Sequence, residues 1–134
     1  MKIYRSFSLS CAIVFTIVGL IFLISANGVL TFFNSISGHL GMTLSPVQGY
    51  DFYLILAAGY MYLVALLAYF MYKQPASRDF PLLLANGKFA SSVLSVGFFI
   101  FHQPYLIYLT NCIVDGLIGI LALYFYFKIK KLNP

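Results

Sequence analysis

Residues 81–131 read PLLLANGKFASSVLSVGFFIFHQPYLIYLTNCIVDGLIGILALYFYFKIKK, two apolar runs parted only by His102-Gln103-Pro104. Each run, about 81–101 and 105–127, has the length of about 20 residues that a helix needs to cross a hydrocarbon core about 30 Å thick. Three residues leave room for nothing but a tight hairpin between antiparallel neighbours. Lys88 and Asp115 interrupt the two runs. An ionisable side chain at the bilayer centre costs at least about 2.5–3.5 kcal/mol, so it has a partner or a task. Residues equidistant from a turn near Gln103 lie at one depth, and Lys88 and Asp115 miss that condition by only about 4–5 Å along the axis. A lysine stem spans such an offset. The spacing therefore predicts a buried Lys88–Asp115 ion pair.

Small polar residues gather around this pair: Ser91, Ser92 and Ser95 on one run, Asn111 on the other. Gly116 and Gly119, with Gly97 opposite, are of the kind that lets membrane helices approach closely. An earlier run, 52–72, carries Ala58, Ala65 and Ala68 as a small-residue stripe and places Tyr62 near the depth of Ser91, where its hydroxyl would donate into the cluster. Three readings are open. Lys88, Asp115, Ser92, Asn111 and Tyr62 form a satisfied network that fixes helix register. Lys88 instead snorkels to the near interface and leaves Asp115 alone. Or the charges mark a proton- or substrate-linked site.

The rest of the chain agrees with a membrane reading. Of its 134 residues 62% are hydrophobic and 8% charged, against about 25% charged in soluble domains, which excludes a soluble enzyme. A further run, 7–29, exceeds the 7–15 apolar residues usual in a cleaved signal and is read as a true span. The expectation is an all-α, polytopic membrane protein forming a single four-helix domain over 1–134, with spans at about 7–29, 52–72, 81–101 and 105–127. The basic residues fall at Lys2 and Arg5, at Lys73, Arg78 and Lys88, and at Lys128, Lys130 and Lys131, while the first and third connections have none. By the positive-inside rule both termini and the second loop are cytoplasmic. The net charge of +5 then reflects topology and attraction to anionic lipid and carries no nucleic-acid binding. The long first connection, from Phe32 to Tyr50, spaces Phe32, Phe33, Ile36 and Leu40 as a short interfacial helix would. Tyr50, Tyr53, Tyr69, Tyr72, Tyr105 and Tyr108 crowd the span ends, where aromatic belts form.

Other chemistry finds little support. His39, Asp51 and His102 share the extracytoplasmic side, and two imidazoles with a carboxylate suit a metal, but no spacing demands one, and no metal or cofactor is expected. Haem would want histidines facing each other inside the bundle. Cys11 and Cys112 fall at different depths, which disfavours a thiol couple. No His reaches the buried Asp, so there is no triad and no catalytic residue to name.

The layout of basic N-terminus, span, glycine-rich loop with Pro46 and three further spans resembles the small bacterial four-helix membrane proteins of the DoxX-like type. Local echoes lie in Tyr69…Pro75, Lys88-Phe89-Ala90-Ser91-Ser92 and Asp115-Gly116-Leu117-Ile118-Gly119. The resemblance implies the architecture and a bacterial inner-membrane location, and brings no catalytic residue with it. The functional expectation is a non-enzymatic accessory or assembly subunit that meets membrane lipids and other membrane proteins or itself. The alternative is a small transporter, or a lipid- or quinone-binding protein using Lys88 and Asp115, with Tyr62, Asn111 and Ser92 as donors.

Overall fold

The computed structural model describes residues 2–49 and 51–132, the side chains of 51, 52 and 132 excepted. Among them lie α1 (Lys2–His39), α2 (Asp51–Lys73), α3 (Asp79–Phe101) and α4 (Leu106–Leu132). All four are long and apolar enough to cross a membrane. Tyr50 and the Asp51 side chain, both named above, lie outside the described residues.

The first helix departs from expectation at both ends. It runs on to His39, so the stretch from Phe32 expected as a separate interfacial helix is the last part of α1, and the break falls earlier, at Ser25 (φ −138°, ψ 47°). The cause is local. The Ser25 hydroxyl occupies the place that a Cβ on Gly28 would take, and a Ser/Gly pair is a usual seat of a helix kink. At the far end the Met42 amide donates to the Ser37 carbonyl (2.9 Å) and the Gly41 amide to Gly38 (3.4 Å). Gly41 itself has φ +65°. This is a Schellman close, which glycine makes without a Cβ penalty. Beyond it the Asn34 amide holds Ser45 twice, donating to its carbonyl (2.7 Å) and accepting from its N–H (2.8 Å). The loop thereby gains a backbone-like pairing it lacks of its own.

The shorter connections follow from proline. Pro81, the first residue of the expected third span, sits buried in the first turn of α3, where a missing N–H costs nothing. Pro104 follows the α3 terminus, where the Phe98 carbonyl takes both the His102 and Gln103 amides.

Packing is closest between α1 and α2 and between α3 and α4; α2 meets α3, and α1 meets α4, over shorter stretches. Glycines set the two close pairs. A Cβ on Gly19 would stand 2.9 Å from that of Met61, one on Gly116 would stand 3.2 Å from the Ser92 hydroxyl, and one on Gly119 would stand 2.9 Å from the Phe89 ring. Gly97, expected among them, has nothing within 4 Å. It lies near the α3 terminus, where a side chain would meet open space. Gly119→Ala is expected to lower stability by about 1–3 kcal/mol through overpacking, while Gly97→Ala leaves it unchanged or slightly raised by helix propensity. Thermal unfolding of the two variants in detergent checks this.

The core occupies one half of the bundle. Tyr4, Phe15, Val64, Ala68, Met71, Leu84, Phe125 and Ile129 form one buried cluster. Among the described residues nothing before Val64 in α2, after Lys88 in α3 or before Asp115 in α4 is buried. The other half, toward the α3–α4 hairpin, is loosely packed. Lys88 and Asp115 mark the boundary.

Candidate functional site

The helical repeat puts Lys88, Ser91, Ser92 and Ser95 of α3 on one stripe, at spacings of three and four, and Asn111, Cys112, Asp115, Gly116 and Gly119 on the facing stripe of α4. Bare glycine faces on α4 bring the two helices together, and the polar side chains then meet.

The Lys88 ammonium donates to Asp115 Oδ1 at 2.8 Å, with the two side chains 3% and 6% exposed. Lys88 therefore does not snorkel. Its remaining surroundings are aromatic: Nζ lies 4.4 Å from the centroid of Phe15 on α1 and 5.3 Å from that of Tyr60 on α2, both within the range of about 6 Å in which a ring face attracts a cation. Every other helix thus contributes to the enclosure of one lysine. No Cα of α1 comes within 8 Å of one in α3, so the lysine and Phe15 are a side-chain link across the diagonal of the bundle.

A second tier lies nearer the hairpin. Ser92 donates to the Cys112 carbonyl (2.8 Å), with its Sγ at 3.5 Å. Asn111 Nδ2 donates to Ser91 (3.0 Å) and to Ser95 (2.7 Å). Tyr60 donates to the Gly87 carbonyl at 3.1 Å, which ties α2 to α3 at their seam. The expected residues Lys88, Asp115, Ser91, Ser92, Ser95 and Asn111 thus do come together.

Tyr62 does not. Its side chain is 70% exposed and lines a shallow groove against α1 with Ala65 and Tyr69. The inward phase of α2 runs through Tyr60, Val64, Ala68 and Met71, at spacings of three and four; Ala65 and Ala68 of the expected small-residue stripe are buried with it, while Tyr62, expected there on depth, is not. Two residues along a helix are about 200° apart around it, so equal depth did not mean equal facing. Comparison with known protein families, curated proteins and solved structures finds no match to this chain. The geometry stands alone.

The remaining candidates are scattered. His39 ends α1 exposed, and His102 is exposed and stacks on Phe98 at 4.7 Å. Among the described residues no three His, Cys, Asp or Glu gather where a metal would sit. Cys11 and Cys112 are both free thiols.

Chemically, the cluster holds its charges in place. A carboxylate and an ammonium at 2.8 Å, both side chains almost fully enclosed, neutralise each other, and the ring faces replace part of the water the ammonium has lost. Phe15 and Tyr60 were not foreseen as its partners. The signal for Tyr60 was present in α2: stepping back by four from Ala68 reaches Val64 and then Tyr60.

Proposed function

We propose that the chain is a small non-enzymatic membrane protein of the DoxX-like type, an accessory or assembly subunit of the bacterial inner membrane. Its four helices cross as an antiparallel bundle with both termini cytoplasmic, and the end of α1 beyond Ser25 lies along the outer interface. One observation carries the reading: the ionisable side chains within the spans, Lys88 and Asp115, are spent on each other in a sealed pair. A carrier or enzyme would keep such groups accessible to cargo or substrate, since proton transfer requires hydrogen-bonding reach. What remains outward is a surface of Ile, Leu, Val and Phe, suited to lipid and to other membrane helices. Arg5 over the Tyr72 ring (5.1 Å) and Lys128 over Tyr124 (5.9 Å) support basic, aromatic-anchored cytoplasmic ends.

Two measurements test this. In a chain with both cysteines replaced by Ala, Thr43→Cys is expected to react with an impermeant maleimide on intact spheroplasts and Ser77→Cys only after permeabilisation; the reverse pattern overturns the topology. A photoreactive residue at Ile24, Ile55, Val93 or Ile120, all exposed, should crosslink in native membranes to protein at a subset of these positions. Crosslinks to lipid alone at every position would refute the subunit role.

A further inference from the structure

In the loosely packed half, α2 and α3 diverge and leave a lateral groove of about 550 Å³. Its walls are apolar, Leu56 and Ala57 on one side, Leu94 and Phe98 on the other, and its polar lining is Tyr60, Ser91, Ser95 and Tyr108. Such a volume is within the range of about 300–1,000 Å³ of small-molecule sites.

The floor is built of hydroxyls. Ser91 and Ser95 both accept from the one Asn111 amide nitrogen, and Ser91 has the Tyr60 oxygen as a further partner. For Ser95 the bond from Asn111 is its single hydrogen bond among the described residues. A hydroxyl held away from water without an acceptor is costly, by about 1–3 kcal/mol. Ser8, Thr16 and Thr31 avoid that by donating to the carbonyl four residues back, each at 2.8 Å. Ser95 makes no such bond, and its hydroxyl oxygen faces Asn111 instead.

We propose that this groove binds an uncharged, lipid-soluble molecule carrying a carbonyl or ether oxygen, with Ser95 donating to that oxygen and the apolar walls holding its hydrocarbon part. The lining excludes a charged headgroup, since it contains no Lys, Arg, Asp or Glu. Depth excludes the esters of an ordinary phospholipid. Ser95 and Ser91 lie about 9 and 15 Å from the end of α3, and a helix of 23 residues exceeds a hydrocarbon core of about 30 Å by only about 2 Å at each side. The donors are therefore several ångströms inside the hydrocarbon, where only a neutral solute places an oxygen. Entry is sideways from the bilayer, through the open face of the groove. The groove shares Tyr60 with the lysine enclosure but neither charge lines it, and the proposal is independent of the subunit role.

The test uses the full chain in nanodiscs with two uncharged probes, decylbenzoquinone and 1,2-dioctanoylglycerol. The chain has no Trp and 11 Tyr, so the quinone is read by tyrosine-fluorescence quenching and both probes by thermal shift. A saturable response to at least one probe is expected, and the pair separates a ring carbonyl from an acyl ester as its source. Ala90→Phe fills the groove from an exposed position and should abolish the response with the melting temperature kept; Ala57→Phe serves from the opposite wall should the first variant fail to fold. Ser95→Ala should weaken binding about three- to tenfold, and the Lys88→Met/Asp115→Asn double variant should leave it unchanged. No saturable response to either probe, or one that survives groove filling, overturns the proposal.

Discussion

Lys88→Met and Asp115→Asn are each expected to lower the stability of the bundle by about 3–5 kcal/mol, and the combined replacement to recover most of that loss. Each single variant leaves one charge enclosed with nothing to neutralise it. For Asp115→Asn the stranded group is an ammonium among Phe15, Tyr60 and a neutral amide; for Lys88→Met it is a carboxylate beside a thioether. The double variant buries no charge, and methionine fills nearly the volume of the lysine stem. Protein abundance and the melting temperature in detergent give the two single effects and their coupling. Additive losses would mean that the 2.8 Å contact contributes no pairwise energy. A fully stable Asp115→Asn chain that has lost the protein's cellular role would make the carboxyl functional, and the carrier reading would replace the structural one. The exchanged pair, Lys88→Asp with Asp115→Lys, should recover only part of the stability. The aromatic enclosure is built around the α3 side, and a short aspartate there leaves the space between Phe15 and Tyr60 empty.

Depth was legible in the sequence, and azimuth was not. The Lys88–Asp115 contact followed from the hairpin at His102-Gln103-Pro104, because a tight turn fixes the axial register of the two runs on either side of it. The Asn111–Ser95 contact followed from the same register. The link from α2 to this cluster had no such constraint, since the turn between α2 and α3 fixes depth alone, and a helix apolar on all sides presents no polar face to set its rotation. Tyr62 and Tyr60 lie at nearly the same depth, and depth alone pointed to Tyr62. Phe15 was hidden for a related reason. It is one of many phenylalanines in an unbroken apolar run, and only a diagonal contact distinguishes it.

Helix ends were legible where proline or charge stops an apolar run and were missed where the stop is a hydrogen-bond pattern. The kink at Ser25 depends on one hydroxyl settling over Gly28, and hydropathy has no term for that. The Gly41 close and the Asn34–Ser45 pairing likewise fall in a stretch of middling polarity that was read as a separate element.

Phe15→Ala is expected to cost about 3–5 kcal/mol, as deletion of a buried aromatic side chain does. The ring is 3% exposed and closes the side of the ammonium that faces α1, 4.4 Å away. Two effects are combined in that figure, a cavity and a lost cation–π contact, and Phe15→Leu separates them. Leucine keeps most of the volume and removes the π face, so its cost in the native background should be about 1–2 kcal/mol. In the Lys88→Met/Asp115→Asn background there is no cation to solvate, and the same Phe15→Leu replacement should cost measurably less. Equal costs in the two backgrounds would reduce Phe15 to a space filler and leave the ammonium held by Asp115 and Tyr60 alone. A difference of about 1 kcal/mol or more, read as a double-mutant coupling from the four melting curves, would show that α1 is tied to α3 through the charge itself. The two helices have no backbone contact, so that coupling would make the buried lysine the element that holds the diagonal of the bundle together.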